Sequence, residues 1–366
     1  MSAPLRVVIA GGGTGGHLYP GIAVARELLL RRPGSTVSFA GTVKGIEFRV
    51  IPREGFALDT IRSGGLKGKS MAERARGASL IPLGMLDAWR ILARRRPDLV
   101  IGVGGYSSGP VVLSAALRGI PTMLLEQNAV PGLTNRLLAR VVKAAAVTYP
   151  STTPFFGNRA FVSGNPVRAE FLALASQPAV TTPPSEGAGV LVFGGSQGAH
   201  AINAAMVDAA PRLAARGVTL RLTHQTGERD LEMVRAGYAA AGVKATVEPF
   251  IYDMAARLAE ADLVVCRAGA TTLAELTAAG KPSILIPLPT ATDDHQRRNA
   301  EALAEAGAAE VVLQHEATGT VLAERIEALV SSADRRRRMA GAARTLARPD
   351  AARAIVDRAL ELAGAA

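Results

Sequence analysis

Short runs of apolar and β-branched residues alternate with longer stretches of helical periodicity along the whole chain. Each run is bounded by glycine, proline or polar turn residues and is too short to form a helix of ordinary length. Short strands that alternate with helices are typical of parallel sheets with right-handed crossovers. The pattern therefore predicts an α/β protein with doubly wound parallel sheets. The predicted strands cover residues 6–10, 36–40, 99–103, 122–125, 145–148, 190–193, 219–223, 245–247, 263–266, 283–286 and 310–313.

One plan occurs twice in the chain: an apolar strand, a glycine-rich turn and the start of a helix. The segments VVIAGGGTGGH (7–17) and VLVFGGSQGAH (190–200) both follow it. Each is typical of the first βα unit of a doubly wound domain, so we predict two Rossmann-like domains that face each other across a cleft. We predict these domains over residues 1–165 and 166–345. The segment 346–366 is predicted to form a helix that packs back on the first domain.

Composition and charge narrow the class of protein. The 366 residues suffice for about two domains of ordinary size, and 48% hydrophobic against 20% charged residues exclude a disordered chain. Lysine and arginine number 42 and aspartate and glutamate 31, a formal net charge of +11. This excess favours anionic partners such as phosphates, acidic lipid headgroups or nucleic acid. Nucleic acid is disfavoured, because aromatic residues are only 4% of the chain and are not interleaved with the basic ones.

The cysteine, the histidines and the apolar runs disfavour disulfide-bonded, metal-binding and membrane-spanning classes of protein. The single cysteine, Cys266, rules out an internal disulfide and fits a reducing compartment. The five histidines are scattered without metal-ligand spacing, so no metal site is predicted. The apolar run 99–117 is interrupted by glycines and a proline, and a membrane-spanning helix is therefore not expected. The first residues lack a basic-then-apolar pattern, so we expect no secretory leader.

The first glycine turn matches the G-x-G-x-x-G pattern of dinucleotide-binding proteins through Gly11, Gly13 and Gly16. That pattern also needs an acidic residue at the end of the second strand, where this chain has none because Glu47 comes late. In the second copy Ser196 replaces the middle glycine. A hydride-transfer enzyme is therefore disfavoured, whereas backbone amides at two helix N-termini suit a phosphate-bearing ligand. Tight packing of strand against helix is the alternative explanation of the glycines.

A third turn, within residues 249–287, has similar chemistry. The chain turns at Gly269 and then starts a helix with Ala270, Thr271 and Thr272, which is expected to carry Glu275 in its first turn. A nucleoside diphosphate could place its phosphates on the amides of that helix start, with Glu275 accepting both ribose hydroxyls. Thr272 and Glu275 also fit a capping box, which needs no ligand. The residues alone leave these two explanations open.

The segment 79–97 combines an apolar face with a basic end. The apolar residues at helical spacing are Ile81, Met85, Trp89 and Leu92, and the basic residues are Arg90, Arg94, Arg95 and Arg96. This composition is typical of an interfacial helix, with Trp89 at the level of the headgroups and the arginines on anionic lipid. An amphipathic core helix with a solvated basic end explains the pattern equally well.

Several motifs occur in an order and spacing that resemble one family. They are GGGTGGHLYPG (11–21), GGYSSGP (104–110), EQNAVPGLTNR (126–136), GNPVR (164–168), GGSQGA (194–199), CRAGATTLAEL (266–276) and DDHQRRNA (293–300). Together they resemble the bacterial peptidoglycan glycosyltransferases of glycosyltransferase family 28, which transfer N-acetylglucosamine (GlcNAc) from UDP-GlcNAc to the undecaprenyl-linked lipid I and form lipid II. The resemblance implies a GT-B fold, an inverting reaction without a metal or cofactor, and peripheral attachment to the cytoplasmic face of the cell membrane. It also implies contacts with the anionic membrane surface and with cell-wall or division proteins.

Position by position, the resemblance implies roles for individual residues. It assigns catalysis to His17 and Glu126. It assigns the donor to Thr14, Gly15, Gly16, Asn128, Arg168, Ser196, Ile251, Ala270, Thr271, Thr272, Leu273, Ala274, Glu275 and Gln296, and the acceptor to Gly104, Gly105, Tyr106, Ser107, Ser108 and Gly109. It assigns no residue to a metal. The chain departs from the family at Tyr19, where phenylalanine is common, and in a longer loop before Asp293.

His17 is the first candidate for the general base. A neutral imidazole can accept the proton of the attacking hydroxyl, and a helix N-terminus lowers the pKa of such a ring. Glu126 is the second candidate, or the partner that orients His17. Departing UDP is expected to be stabilised by the amides of residues 194–198 and 270–272, with Arg168 assisting.

Two other functions fit parts of the pattern. The first is a GT-B transferase with another lipid acceptor such as a diacylglycerol, which the acceptor motifs 104–110 and 126–132 disfavour. The second is a regulatory nucleotide-binding protein without turnover. Such a protein would keep the donor motifs but would not need His17.

Overall fold

The computed structural model describes residues 3–64, 71–176, 187–195 and 197–364. The chain forms two compact units. Unit 1 is Met1–Arg168 together with Arg348–Ala366, and unit 2 is Ala169–Ala347. Each unit is built on its own parallel sheet, as the repeated strand–turn–helix plan predicts.

Strands and helices alternate through both units. The strands are β1 (Arg6–Gly11), β2 (Thr36–Gly41), β3 (Ala57–Thr60), β4 (Leu99–Gly104), β5 (Thr122–Glu126), β6 (Ala144–Val147), β7 (Ala160–Val162), β8 (Ala188–Phe193), β9 (Leu220–Gln225), β10 (Ala245–Glu248), β11 (Leu263–Cys266), β12 (Ser283–Leu285) and β13 (Ala309–Val311). The helices are α1 (Gly15–Arg31), α2 (Glu47–Arg53), α3 (Met71–Arg95), α4 (Ser108–Leu117), α5 (Leu133–Leu138), α6 (Thr153–Phe156), α7 (Ala169–Leu172), α8 (His200–Ala215), α9 (Leu231–Ala240), α10 (Met254–Glu260), α11 (Ala270–Ala279), α12 (His295–Glu305), α13 (Gly319–Val330), α14 (Ala333–Leu346) and α15 (Ala351–Leu362). Each predicted strand forms close to its predicted bounds.

Both sheets are doubly wound. The sheet of unit 1 has the order β3-β2-β1-β4-β5-β6-β7, and the sheet of unit 2 has the order β10-β9-β8-β11-β12-β13. Neighbouring strands are parallel in both. The strand order reverses between β1 and β4 and again between β8 and β11, and open α/β sheets bind ligands at the carboxyl ends of such strand pairs. The predicted fold class, two Rossmann-like domains of doubly wound parallel sheet, is confirmed.

Two strands, β3 and β7, are absent from the predicted set. Each lies at an edge of the first sheet. The residues of β3 are ALDT, and only one of the four is buried, whereas none of the three residues of β7 is buried. Their pattern lacks a continuous apolar run because an edge strand is covered less than a central one.

The core of unit 1 has a layer on each face of the sheet. Ile9 of β1 packs in one cluster with Leu18 of α1 and Ile355 of α15. The next residue back, Val8, packs in a second cluster with Leu92 of α3. Successive side chains of a strand point to opposite faces, so β1 is buried between α1 and α15 on one side and α3 and α4 on the other. The last helix of the chain is thus part of the core of unit 1.

The burial of α3 corrects its predicted apolar face. Ile81, Met85, Trp89 and Leu92 were expected to form a single stripe. Leu92 is fully buried in the core, whereas Ile81 is 47% and Trp89 48% exposed. The buried face instead runs through Ala88 and Leu92, because these side chains point toward the sheet. The exposed apolar residues therefore lie outside the core contact.

The basic end of α3 is bound to the protein itself. Arg95 donates from Nε to Oδ2 of Asp59 over 2.8 Å, and Arg94 pairs with the same carboxylate. Asp59 lies on β3 and is 5% exposed. Arg94 and Arg95 therefore share one buried counter-ion, and their expected contact with anionic lipid stays a prediction. No helix within the described ranges has the length and apolar character to cross a bilayer.

Unit 2 contains a polar network between β9 and the helices α8 and α9. His224 is fully buried, with Nδ1 2.7 Å from the hydroxyl of Tyr238 and Nε2 3.0 Å from Oδ1 of Asn203. Asn203 in turn donates from Nδ2 to Asp230 over 2.7 Å. Burial lowers the pKa of His224 to about 4, although the negative charge of Asp230 raises it. The ring is therefore neutral at pH 7 and acts as a structural hydrogen-bonding group.

Truncation of a core residue in α15 should destabilise unit 1. We expect Ile355→Ala to lower the free energy of unfolding by about 3 kcal/mol, because it removes a fully buried side chain and leaves a cavity. Urea denaturation followed by the fluorescence of Trp89, the single tryptophan, reports on this unit. Leu30→Ala, at a residue of α1 that is 76% exposed, is the matched control and should change stability by less than about 0.5 kcal/mol. Equal midpoints for both variants would contradict the packing of α15.

Acid should destabilise unit 2 through His224. The folded pKa of about 4 lies below the unfolded value of 6.5, so the unfolded state binds the proton more tightly and stability falls as the pH drops below 6.5. From pH 7 to pH 5 the expected loss is about 2 kcal/mol. Urea denaturation followed by circular dichroism at several pH values measures it. His224→Gln should remove this part of the pH dependence, whereas His315→Gln, at a side chain 76% exposed, should retain it. An unchanged slope in His224→Gln would refute the assignment.

Candidate active site

The first glycine turn connects β1 to α1 in unit 1. Gly11, Gly12 and Gly13 have φ values of 146°, 147° and 87°, which residues with a side chain rarely adopt. A Cβ on Gly12 would lie 2.5 Å from the carboxylate carbon of Glu47, so a larger residue has no room there. Helix α1 begins at Gly15, and its N-terminus lies at the carboxyl edge of the sheet. A helix start at this edge is a ready anion site.

A second glycine loop follows β4, the strand beside β1. Gly104 and Gly105 have φ values of 95° and 82°. The amide of Gly12 donates to the carbonyl of Gly104 over 3.3 Å, and a Cβ on Gly105 would lie 2.5 Å from the carbonyl oxygen of Gly12. The two loops are therefore in direct backbone contact. Since α4 begins at Ser108, the N-termini of α1 and α4 both lie where the strand order reverses.

His17 lies in the first turn of α1 and is half-buried. Its Nδ1 is 3.2 Å from Oγ1 of Thr14. The ring lies against the second glycine loop, because a Cβ on Gly104 would come within 2.7 Å of Cδ2 and 3.0 Å of Nε2. The structure thus brings the predicted base to the predicted acceptor loop, and the missing side chain of Gly104 provides the space for the imidazole.

Glu126 ends β5 and is 3% exposed. Its Oε1 accepts from the backbone N–H of Asn128 at 3.1 Å and from the side-chain amide of the same residue at 3.3 Å. Its Oε2 accepts from the N–H of Gly132 at 3.0 Å and from Nδ2 of Asn135 at 2.9 Å. Burial raises the pKa of Glu126, whereas these hydrogen bonds lower it. The carboxylate therefore organises the loop that carries Asn128.

The other predicted acceptor residues lie around the start of α4. Tyr106 is 54% exposed, whereas Ser107 and Ser108 are buried. The hydroxyl of Ser63 donates to the carbonyl of Tyr106 over 2.8 Å. Gly109 follows in the first turn of the helix. The exposed part of this loop is thus its aromatic side chain and its backbone.

Arg168 is the last residue of the first segment of unit 1. Its guanidinium carbon is 4.8 Å from the centre of the Tyr19 ring, a cation–π contact. A Cβ on Gly15 would lie 3.2 Å from the same ring. Tyr19 therefore links the start of α1 to a predicted donor residue through its aromatic face, which a phenylalanine would also offer.

The glycine loop of unit 2 follows β8. Gly195 and Gly198 have φ values of 96° and 73°. Ser196, a predicted donor residue, lies outside the described residues. Gln225, at the end of β9, donates from Nε2 to the carbonyl of Gly195 over 2.8 Å, and Asn203 donates to the carbonyl of Thr226 over 2.9 Å. Neither of these supporting residues was predicted, and the polar run HQTG (224–227), which overlaps the end of β9, is the signal in the sequence for Gln225 alone.

Helix α11 corrects the predicted capping box. Its N-cap is Gly269, with φ −69° and ψ 137°, so the helix begins three residues before the position that a capping Thr272 requires. Glu275 lies in the second turn rather than the first, and it is 9% exposed. Its charge adds to burial in raising the pKa of Cys266. The capping explanation of Thr272 and Glu275 is therefore wrong.

The remaining predicted donor residues lie near α11 and α12. Ile251 is 3% exposed, and Ala270, Thr271, Leu273 and Ala274 belong to the first turns of α11. Gln296 accepts from the N–H of Leu288 at its Oε1 over 3.0 Å, which closes the loop before α12. That loop contains Asp293 and Asp294, whose φ values of 54° and 53° are unusual for residues other than glycine.

Arg267, in the loop between β11 and α11, supports the chain that leads to Gln296. Its Nη1 donates to the carbonyls of Ile286 and Pro287 over 3.0 and 3.2 Å, and its Nη2 donates to Gln314 over 2.6 Å. Burial lowers the pKa of this guanidinium. Arg267 was part of a quoted motif but carried no predicted role, because its partners follow much later in the sequence.

Each unit thus presents its own set of chemical groups. Unit 1 brings together two glycine loops, two helix starts, a half-buried imidazole and a buried carboxylate. Unit 2 brings together a braced glycine loop and the start of α11 with Glu275. These sets suit anion binding by backbone amides and proton transfer by a histidine. In the described parts of the chain, no group of three histidine, cysteine or acidic residues could hold a metal ion.

Comparison with known sequences identifies two domains. Residues 7–147 match the glycosyltransferase family 28 N-terminal domain, and residues 189–355 match the glycosyltransferase family 28 C-terminal domain. A protein of Anaeromyxobacter sp. (strain K) is 49% identical over 98% of this chain and 93% of that protein. A protein of Myxococcus xanthus (strain DK1622) is 48% identical over the same shares of the two chains. Both are named UDP-N-acetylglucosamine–N-acetylmuramyl-(pentapeptide) pyrophosphoryl-undecaprenol N-acetylglucosamine transferase.

Solved structures agree with the sequence comparison. The crystal structure of MurG from Acinetobacter baumannii is 34% identical, with a TM-score of 0.80, and the match covers 98% of this chain and 100% of that one. The structure of UDP-GlcNAc 2-epimerase from Neisseria meningitidis, 15% identical with a TM-score of 0.69 over 97% of this chain and 99% of that chain, shares the fold alone. The fold is therefore GT-B, and the chain is an N-acetylglucosaminyltransferase that belongs to glycosyltransferase family 28.

Proposed function

We propose that this chain transfers GlcNAc from UDP-GlcNAc to the C4 hydroxyl of the MurNAc sugar of lipid I and so forms lipid II in peptidoglycan synthesis. The observation that carries this proposal is the 49% identity, over 98% of the chain, to transferases whose names state this donor and this acceptor. The site residues are those that the motifs imply. Their individual roles are part of the proposal.

His17 acts as the general base. The C4 hydroxyl attacks the anomeric carbon of GlcNAc and forms the new C–O bond, while its proton passes to the neutral imidazole. The bond between the anomeric carbon and the β-phosphate oxygen breaks, and UDP leaves with the electron pair. Support comes from the ring's position at the start of α1 and against Gly104, where a hydroxyl of an acceptor bound on the second loop would approach.

Glu126 holds the loop that carries Asn128 and does not accept the proton of the attacking hydroxyl. Both carboxylate oxygens already accept hydrogen bonds from residues 128–135, and the group is 3% exposed. A base must reach the hydroxyl of the acceptor, and the enclosed position of Glu126 favours His17 instead. The role that we propose for Glu126 is to hold Asn128, a predicted donor contact, in place.

The pyrophosphate of lipid I binds the second glycine loop, residues 104–109. The N-terminus of α4 lies there, and helix starts attract negative charge through their amides and dipole. Tyr106 offers its exposed ring to the sugar or to the lipid-proximal part of the acceptor. The contact of this loop with the first glycine loop brings the acceptor to the start of α1.

UDP-GlcNAc binds unit 2 through the start of α11 and its neighbours. The carboxylate of Glu275 accepts hydrogen bonds from the ribose hydroxyls. The backbone of Ile251 binds the uracil, and Gln296 binds hydroxyls of the sugar. The amides of residues 270–272 stabilise the charge that develops on departing UDP. The resemblance also assigns Thr14, Gly15, Gly16, Asn128, Arg168 and Ser196 to the donor.

The transfer can be tested with radiolabelled UDP-GlcNAc and a lipid I analogue, with UDP-GalNAc and UDP-glucose as control donors and a diacylglycerol as control acceptor. We expect label in the lipid II analogue from UDP-GlcNAc alone. Label in the diacylglycerol only, or no turnover, would refute the function.

In the same assay His17→Ala should lower kcat by about 100-fold or more, with a much smaller change in the KM for UDP-GlcNAc, because the base acts in the transition state. His315→Ala is the matched control, and wild-type turnover in His17→Ala would remove the base assignment.

The protein attaches to the membrane surface through exposed apolar residues of unit 1. Leu86 and Trp89 of α3 are 44% and 48% exposed, and Leu117 at the end of α4 is 69% exposed. The guanidinium of Arg118 lies 4.9 Å from the centre of the Trp89 ring, so Leu117 and Trp89 belong to one surface, here named the α3–α4 patch. Apolar side chains with a basic rim are typical of interfacial binding to anionic lipid. The site of this attachment is the cytoplasmic face of the cell membrane, where lipid I presents its sugar.

Removal of the α3–α4 patch should weaken membrane binding without affecting the chemistry. In flotation with phosphatidylglycerol vesicles, we expect the double variant Leu86→Ala and Trp89→Ala to bind about tenfold less than wild type, since less apolar surface enters the interface. Its turnover of a water-soluble acceptor analogue should stay unchanged. Leu30→Ala, which removes a leucine of α1 that is 76% exposed and lies outside the patch, should bind like wild type. Equal flotation of all three proteins would exclude this patch.

A further inference from the structure

Glu47 is a buried carboxylate beside the first glycine loop, and the mechanism above gives it no role. It is the first residue of α2 and is 1% exposed. Its Oε2 accepts from the N–H of Gly13 over 2.7 Å. Its Oε1 accepts from the N–H of Thr42 over 2.8 Å and from the hydroxyl of Thr42 over 2.9 Å. The carboxylate thus joins the loop after β1 to the loop after β2.

Three glycines enclose this carboxylate. A Cβ on Gly12 would lie 2.5 Å from its Cδ, a Cβ on Gly41 would lie 2.5 Å from its Cγ, and a Cβ on Gly45 would overlap both of its oxygens. Gly41 and Gly45 do not have positive φ values, so backbone conformation alone would allow a side chain at either position. Their lack of a side chain is explained by the space that Glu47 occupies.

We propose that Glu47 is a positioning residue for the transfer: its carboxylate fixes the first glycine loop so that His17 keeps its place against the acceptor loop. This inference rests on the proposed function. The connection is short, because Gly13 is bound by Glu47, the next residue is Thr14, and the hydroxyl of Thr14 lies 3.2 Å from Nδ1 of His17. Gly12, on the other side of Gly13, bonds to Gly104 of the acceptor loop.

The carboxylate also decides which ligand the loop can take. In dinucleotide-binding proteins the first glycine loop binds a pyrophosphate on its amides. Here the amide of Gly13 already donates to an anion of the protein itself. A second negative group at that amide would meet the charge of Glu47 at close range in a buried site, which is unfavourable. The amide of Gly13 therefore serves to position the imidazole and not to bind a phosphate, whereas Thr14, Gly15 and Gly16 keep the donor role that the resemblance implies.

Glu47→Gln tests the inference with almost no change in shape. The amide nitrogen of glutamine would face an N–H or hydroxyl donor at one of the two oxygen positions, so at least one of the three contacts is lost. We expect kcat for transfer to lipid I analogue to fall about 10- to 100-fold, because a small displacement of a catalytic group has an effect of this size. The Kd for UDP measured by calorimetry should stay close to wild type, because UDP binds unit 2. The urea midpoint reported by Trp89 should fall modestly, since a buried donor loses its acceptor, while the protein stays folded under assay conditions.

The matched control is Glu54→Gln. Glu54 follows the same helix, but its carboxylate pairs with Arg26 at the surface and contacts no glycine loop. This variant should behave like wild type in every measurement. Wild-type transfer in the same assay tests the proposed function separately, so failure of that function and failure of this inference are distinguishable.

Gly45→Ala is a second variant, which retains the carboxylate but takes the space that it occupies. Its Cβ would displace Glu47, so we expect the same fall in kcat. Combined with Glu47→Ala, which removes the obstructed group, Gly45→Ala should have no additional effect. Wild-type kcat in Glu47→Gln would overturn the inference. A loss of kcat that is matched by weaker UDP binding or by unfolding under assay conditions would also overturn it, since it would show a merely structural role.

Discussion

Unit 1 depends on one constraint, the contact of glycine backbone with glycine backbone where β1 and β4 end. The amide of Gly12 reaches the carbonyl of Gly104, and no Cβ fits between Gly105 and Gly12. Because no side chains intervene, two helix starts approach as closely as their main chains allow. The ring of His17 then lies on Gly104, where any larger residue would displace it. The glycines are therefore required by steric fit first, and the chemistry of the imidazole follows from that fit.

The parts of this fold that could be predicted are those determined by neighbours in sequence. Buried strands and glycine turns are local features, so both sheets follow from the apolar pattern. The start of α11 at Ala270 also follows from the glycine turn, but the cap was less certain, because a shift of three residues decides whether Thr272 is a cap or lies inside the helix. The supporting side chains could not be predicted, because their partners are distant in the sequence. Gln225 holds a carbonyl 30 residues away, and Arg267 holds a side chain 47 residues away.

The surface of α3 shows why charge and apolarity along one helix do not determine its partner. The sequence pattern fits a core helix and a membrane-surface helix equally well. In the structure one side of α3 is buried and the other side is exposed. Leu92 enters the core, whereas Trp89 is exposed and stacked with Arg118. Arg94 and Arg95 are bound to Asp59, a carboxylate that lies on an unpredicted strand. A basic run in the sequence is therefore evidence of positive charge, but its counter-ion is visible only in three dimensions.

The two copies of the strand–turn–helix plan differ in the charge of the group that supports them. The loop of unit 1 is held by the carboxylate of Glu47, which binds an N–H group. The loop of unit 2 is held by the neutral amide of Gln225, which binds a carbonyl. A carboxylate neutralises the positive end of the loop that it binds, whereas an amide on a carbonyl leaves that positive end to attract a phosphate. The proposed function uses this difference between similar backbones: a supported imidazole in unit 1 and a nucleotide diphosphate in unit 2.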